Sequence, residues 1–174
     1  SDGSAPRNDA WRVIGPGGGG SQYAPTVSPH DPRQVLVHCD MTGTYISRDG
    51  GSSWRMFNLR GRSRFHFFDP VDPNVIYVQT SALWRSTHRG RTWALVHPAP
   101  ETVQGIRMPD DHAGERLIST GEPQGNLTAL AVDPAENRVL YAAFQQEKSH
   151  ALYVSPDWGR QWRRVAGLPG GGQK

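Results

Sequence analysis

The residues in this chain best placed to do chemistry are carboxylates. Asp40 stands in HCDMTGTYIS (38–47), at the end of an apolar run and just before a Thr-Gly pair. Four more acids, Asp110, Asp111, Glu115 and Glu122, fall in the polar, glycine-containing stretch MPDDHAGERLISTGEPQGN (108–126). Two carboxyls in one cleft can divide acid and base work between them. Long polar loops commonly carry such groups, but they are also commonly plain surface excursions. Asp is moreover a preferred turn former, so Asp40 has two readings: a chemical group, or a cap on the turn that follows it.

Other chemistries find little support. Seventeen of the nineteen basic residues are Arg, yet they are scattered over turns among sixteen acids, and the net charge is only +3. Nucleic acid is therefore not an expected partner, since that partner calls for a basic stripe interleaved with aromatics. The single cysteine, Cys39, rules out an internal disulfide, and its apolar neighbours Val35, Leu36 and Val37 predict a buried, inert thiol. The seven His are dispersed, and no Cys/His spacing reads as a zinc site, so neither a metal nor a cofactor is expected. No stretch approaches the roughly 18 apolar residues needed to cross a bilayer, so no membrane is expected as a partner.

The elements that must position Asp40 come from a repeat. ISRDGGSSW (46–54) is echoed by RSTHRGRTW (85–93) and VSPDWGRQW (154–162). Upstream of each lies an Asp-Pro turn and an apolar run, in SPHDPRQVLV, DPVDPNVIYV and VDPAENRVLYA. The spacing from Asp31 to Ser47 is 16, from Asp72 to Ser86 is 14 and from Asp133 to Ser155 is 22. Each unit reads as four short strands rich in β-branched and aromatic residues, punctuated by Gly, Asn, Asp and Pro. A four-stranded unit of roughly 40 residues is a β-propeller blade. The predicted fold is thus all-β: blades over about 22–58, 63–97 and 127–167, an inserted loop over 98–126, and the outer strand of a further blade over 10–15.

The repeated knot follows S-x-D-x-G-x-x-W. Its members are Ser47, Asp49, Gly51 and Trp54; Ser86, Gly90 and Trp93, with His88 in place of Asp; and Ser155, Asp157, Gly159 and Trp162. Short Asp side chains accept hydrogen bonds from turn N–H groups, and glycine supplies the positive φ of a tight hairpin. These residues are predicted to be a folding device, with each Trp packed back over its turn. The other units carry Thr80-Ser81 and Phe144-Gln145 near the place of Asp40, so the repeat itself does not require an acid there.

The knots resemble Asp-box (BNR) repeats. These occur in sialidases, sortilin-type receptors, photosystem II assembly-factor-like propellers and xyloglucan-cleaving enzymes of glycoside hydrolase family 74. GPGGGGSQYAPTVSPHDPRQVLVHCDMTGTYISRDGGSSW (15–54) resembles the first blade of that last family, in the order Gly17 to Gly20, Tyr23, Ser28-Pro29 and HCDMTGTYIS. The resemblance implies a secreted enzyme, extracellular or periplasmic, that acts on plant-type polysaccharide. It also implies that Asp40 is the catalytic base. His38-Cys39 departs from the family's Arg-Thr, and Met41-Thr42 from its Ile-Gly.

Splitting a glycosidic bond with inversion takes two carboxyls about 6.5–9.5 Å apart. The family's acid lies in a second propeller, so the isolated chain is expected to be inactive unless Asp110, Asp111, Glu115 or Glu122 folds opposite Asp40. Tyr23, Tyr45 and Trp84 are candidate sugar platforms. A sialidase would use an Arg cluster, for which Arg62, Arg64 and Arg85 are candidates, but the Arg-Ile-Pro opening segment is missing. The alternative function is a non-catalytic scaffold that binds protein or glycan. Three blades and a stray strand fall short of ring closure. The chain is therefore expected to join the remaining blades of a larger, roughly seven-bladed propeller, or another copy of itself.

Overall fold

The computed structural model of the chain describes residues 15–16, 20–108, 114–147 and 149–166. Three four-stranded antiparallel sheets follow one another along the sequence, each with its strands in chain order. Blade one holds β1 (Gln22–Val27), β2 (Val35–Cys39), β3 (Thr44–Ser47) and β4 (Arg55–Phe57). Blade two holds β5 (Phe65–Phe68), β6 (Ile76–Gln79), β7 (Leu83–Ser86) and β8 (Ala94–His97). The stretch read as an inserted loop carries a 3-10 turn, Pro100–Thr102, and a two-stranded sheet of β9 (Val103–Arg107) and β10 (Arg116–Ser119). Blade three holds β11 (Asn126–Val132), β12 (Leu140–Gln146), β13 (Ser149–Ser155) and β14 (Arg163–Arg164). The strand expected over 10–15 lies, apart from Gly15, outside the described residues. Among the described residues no helix is long and apolar enough to cross a membrane.

The three blades share one register. Val35 faces Ser47, Ile76 faces Ser86 and Leu140 faces Ser155, so each knot begins opposite the first apolar residue of the second strand. Alternation then sends neighbouring residues of that strand to opposite faces. In blade two, Ile76 and Val78 pack on Leu36 and Ile46 of blade one, together with Leu59 and Phe68. On its other face, Val75, Tyr77 and Leu83 pack on Leu140, Ala142 and Phe144 of blade three. β6 is therefore buried along its whole length. This explains its unbroken apolar run: a strand covered on both faces cannot alternate with polar residues.

The apolar second strands of the three units predict that Val35, Val37, Ile76, Val78, Leu140 and Ala142 pack between neighbouring blades. The last four do. In blade one the contact falls instead to Leu36, while Val37 is buried outside that cluster and Val35 is only half-buried. The reason is directional. Leu36 points toward blade two, and Val35 and Val37 point to the side where no sheet of the described chain lies.

The turns also correct one alignment. From the sequence, Asp133 matches Asp31 and Asp72. The backbone bonds Ser28 N to Gln34 O, Asp69 N to Val75 O and Asp133 N to Val139 O instead make Asp133 the partner of Ser28 and Asp69. Glu136 takes the place of Asp31 and Asp72, with its carbonyl accepting from Val139 N as theirs accept from Gln34 N and Val75 N. Asp69 and Asp133 each use Oδ1 to hold two N–H groups of the turn at 2.8–3.2 Å.

Candidate functional site

The knots hold the fold. In all three, the leading Ser hydroxyl accepts the N–H of the glycine four residues on, at 2.8 Å for Gly51, 2.9 Å for Gly90 and 2.8 Å for Gly159. Asp49 Oδ1 accepts from Ser47 Oγ and Ser53 N, both at 2.8 Å. Asp157 Oδ1 accepts from Ser155 Oγ at 2.8 Å and Gln161 N at 2.9 Å. These bonds, led by that from the Ser53 hydroxyl, lower the Asp49 carboxyl to about 2. His88 stands in with its ring Nδ1, 2.9 Å from Thr92 Oγ1.

The residue before each glycine has positive φ: 69° at Gly50, 55° at Arg89 and 60° at Trp158. Its N–H donates to a carbonyl of its own blade's first turn, that of Arg33, Asn74 or Arg138. The glycine itself meets the blade before it. A Cβ on Gly90 would lie 3.1 Å from Ile46 Cδ1, and one on Gly159 would lie 2.5 Å from Val96 Cγ1. The second and third knots are thus both turns and inter-blade contacts. Of the three tryptophans that follow, Trp54 donates its ring N–H to Gly51 O at 3.1 Å. Trp93 and Trp162 pack against the two core clusters.

The chemistry gathers elsewhere, where second strands end. Asp40 and Ser81 hold equivalent positions just beyond β2 and β6, and both line a pocket of about 490 Å³ with Tyr23, His38, Arg62, Ser63, Arg64, Glu115 and Arg116. Asp40 Oδ1 accepts the Ser21 N–H at 3.0 Å. A Cβ on Gly20 would come within 2.5 Å of that oxygen, so glycine is what lets the chain pass so close. Tyr23, 47% exposed, stacks on His38 with ring centres 5.6 Å apart. His38 meets His66 edge-on at 5.5 Å. Burial lowers His38 below its ordinary value against the opposing pull of Asp40, and burial lowers His66 further, to about 4. Beneath them, buried Ser63 hydrogen-bonds Thr44 at 2.7 Å and lies 3.3 Å from His66 Nε2. Cys39 is fully buried, as its neighbours predicted.

The stretch between blades two and three adds Gly114, Glu115 and Arg116 to the same lining. Ser81 Oγ donates to the Glu115 carbonyl at 2.8 Å, and Arg60 pairs with the Glu115 carboxylate at 3.2 Å. Of the four acids read in this stretch, Glu115 is therefore brought into the pocket of Asp40. Glu122 is spent on a turn, accepting Gln124 N at 3.0 Å, and Asp110 and Asp111 lie outside the described residues. Of the aromatic candidates, Tyr23 lines the pocket. Tyr45 hydrogen-bonds Thr42 at 2.9 Å, and Trp84 packs on the core between blades one and two, its ring N–H donated to Thr80. Of the Arg candidates, Arg62 and Arg64 line the pocket, whereas Arg85 sits over the Tyr77 and Trp158 rings at 5.9 and 5.4 Å. His38, Ser81 and Arg116 were not singled out from sequence. For His38 the signal was available, since alternation from Leu36 puts it on the Tyr23 face. Among the described residues no group of three His, Cys, Asp or Glu could hold a metal ion.

With this geometry established, comparison with known proteins adds the following. No family model matches the chain. A xyloglucanase of a Paenibacillus species is 28% identical over 93% of this chain, and the xyloglucanase Xgh74A of Acetivibrio thermocellus is 28% identical over 92%. The matched region is 16% and 19% of those relatives, so the chain spans less than a fifth of their length. Among solved structures, an ancestral enzyme of glycoside hydrolase family 74 superposes with a TM-score of 0.58 at 20% identity, covering 87% of this chain and 21% of that one. The YCF48 protein of Cyanidioschyzon merolae superposes with a TM-score of 0.55 at 18% identity, covering 82% and 36%. At these identities the structural likenesses speak to fold: the chain is a set of β-propeller blades, similar in sequence to part of xyloglucanases.

Proposed function

We propose that the chain supplies blades of a glycoside-hydrolase-like propeller, exported from the cytoplasm, that acts on or binds plant-type polysaccharide with Asp40 as general base. The observation that carries this is the pocket itself. It sets a carboxylate anchored by Ser21 beside an exposed tyrosine face, at strand ends of two adjacent blades. A flat aromatic face matches the C–H face of a sugar, and a carboxylate can take the proton of an attacking water. The similarity to xyloglucanases across almost the whole chain supports the same assignment. The remaining blades would cover the outer faces of blades one and three, where Met56 and Tyr141 are exposed.

The test is Asp40→Asn in the longest form that the reading frame encodes, assayed for reducing ends released from xyloglucan. Loss of a general base lowers the rate about 100- to 10,000-fold. Unchanged release would remove Asp40 from the mechanism.

One observation favours the second reading, a binding scaffold without turnover. Glu115, the other carboxylate in the pocket, is already engaged by Arg60 at 3.2 Å, which ties it to the protein and not to a substrate. We therefore expect the 174-residue chain alone to release no sugar. Tight glycan binding with no cleavage by the longest form would decide for the scaffold.

A further inference from the structure

Arginines dominate the electrostatics of the pocket. Three guanidiniums, those of Arg62, Arg64 and Arg116, line it together with two carboxylates, those of Asp40 and Glu115. Arg60 already pairs with Glu115 from outside the lining, and Arg64 and Arg116 share the lining with Asp40. Among the described residues neither Arg64 nor Arg116 is joined to a carboxylate. They come from separate parts of the chain, the connection between blades one and two and the strand β10, yet reach the same cavity. Guanidiniums that outnumber the carboxylates in a cleft favour an anion there. A neutral sugar offers hydroxyls only and would make no use of this excess. A carboxylate would, because the planar guanidinium fork matches it with two parallel hydrogen bonds.

We propose, resting on the polysaccharide reading above, that this pocket takes an acidic sugar: a uronic acid unit whose carboxylate is gripped by Arg64 and Arg116 while its ring lies on Tyr23. The positive wall then has a second effect. It offsets the repulsion that Asp40 would exert on an anionic substrate, so a carboxylate base and a carboxylate-bearing sugar can share one cleft.

Titration calorimetry on the longest form of the protein tests this with four probes. These are a galacturonic acid hexamer, the same hexamer fully methyl-esterified, cellohexaose, and hexaglutamate. The free-acid hexamer is expected to bind at least about tenfold tighter than its ester or cellohexaose, since a charge-assisted hydrogen bond is worth roughly one factor of ten or more. Raising the salt should narrow that preference. Arg64→Gln with Arg116→Gln should lose about 100-fold for the acid hexamer and far less for cellohexaose. Arg91→Gln, an exposed change outside the pocket, should alter neither. The proposal is overturned if the ester or cellohexaose binds as tightly as the acid, if hexaglutamate matches it, or if the double variant loses no more than Arg91→Gln. The ester comparison needs no variant, so misfolding cannot mask the answer. Neutral sugars binding as well as the acid, and weakened by Tyr23→Ala, would sink this inference and leave the polysaccharide reading standing. No binding of any sugar would sink both.

Discussion

Gly159→Ala is the sharpest probe of how the blades are held together. Gly159 has φ of +87°, and a methyl there would sit 2.5 Å from Val96 Cγ1 of the preceding blade. The left-handed backbone costs an alanine about 1–2 kcal/mol. Relieving the overlap costs a further ~1–3 kcal/mol, because valine is branched at Cβ and cannot swing its methyl aside as a flexible chain end would. The sum is about 2–5 kcal/mol. Gly50→Ala is the internal control. Its φ is +69° but nothing lies within 4 Å of the new methyl, so only the backbone cost of about 1–2 kcal/mol applies. Gly90→Ala should fall between, since its methyl would meet Ile46 Cδ1 at 3.1 Å and that chain end can move. Denaturant unfolding followed by tryptophan fluorescence gives the three values. Val96→Ala in the Gly159→Ala background should recover part of the loss, with a coupling of roughly 1 kcal/mol or more. If Gly159→Ala costs no more than Gly50→Ala, the knot glycine does not set the approach of blades and the reasoning fails.

Four further outcomes are expected. His66 and His97 are both lowered to about 4 by burial, so the folded state binds fewer protons than the unfolded one below the ordinary value of 6.5. Their contribution is complete above that value and is lost as pH falls from 6.5 toward 4, by up to about 3 kcal/mol each; His97→Gln should flatten part of the decline in a melting-temperature series. Phe144→Ala should cost about 3–5 kcal/mol in denaturant unfolding, as it empties a site ringed by His97, Tyr153 and Trp162 at 4.9, 5.4 and 5.9 Å. His88→Asp should stabilise by about 0.5–1.5 kcal/mol in the same assay, because an Asp can accept the Thr92 N–H as Asp49 accepts that of Ser53. Ser155→Ala should cost about 1–3 kcal/mol, leaving the buried Gly159 N–H without its acceptor.

The blades were legible because their signals are local and repeated. Strand alternation, turn residues and the knot at fixed spacing place each sheet without long-range information. What escaped depends on partners distant in sequence. Spacing could not show that Glu136, rather than Asp133, matches Asp31, because both acids sit in one turn and only the hydrogen bonds separate them. Nor could it show that Leu36 takes the inter-blade contact instead of Val35, since both are apolar and only the side on which a neighbouring sheet lies decides between them. Asp40 stood out as an acid that the repeat does not require. Arg116 could not be found that way, because its place in the pocket depends on the pairing of β9 with β10 and on the bonds from Ser81 and Arg60 to Glu115. Tyr45 and Trp84 resemble Tyr23 in type, and only strand register sends them elsewhere.

The fastening of Glu115 to Ser81 and Arg60 has a genetic consequence. Every described residue that lines the pocket lies between positions 23 and 116, and Glu115 is tied to the first two blades by Ser81 and Arg60. A single stretch of the chain therefore carries all of the described lining. Any blade added or lost outside this stretch would leave the described lining in place, whereas a breakpoint between blade two and β10 would remove Glu115 and Arg116 in one event. The described lining and the number of blades are thus separable features of the chain.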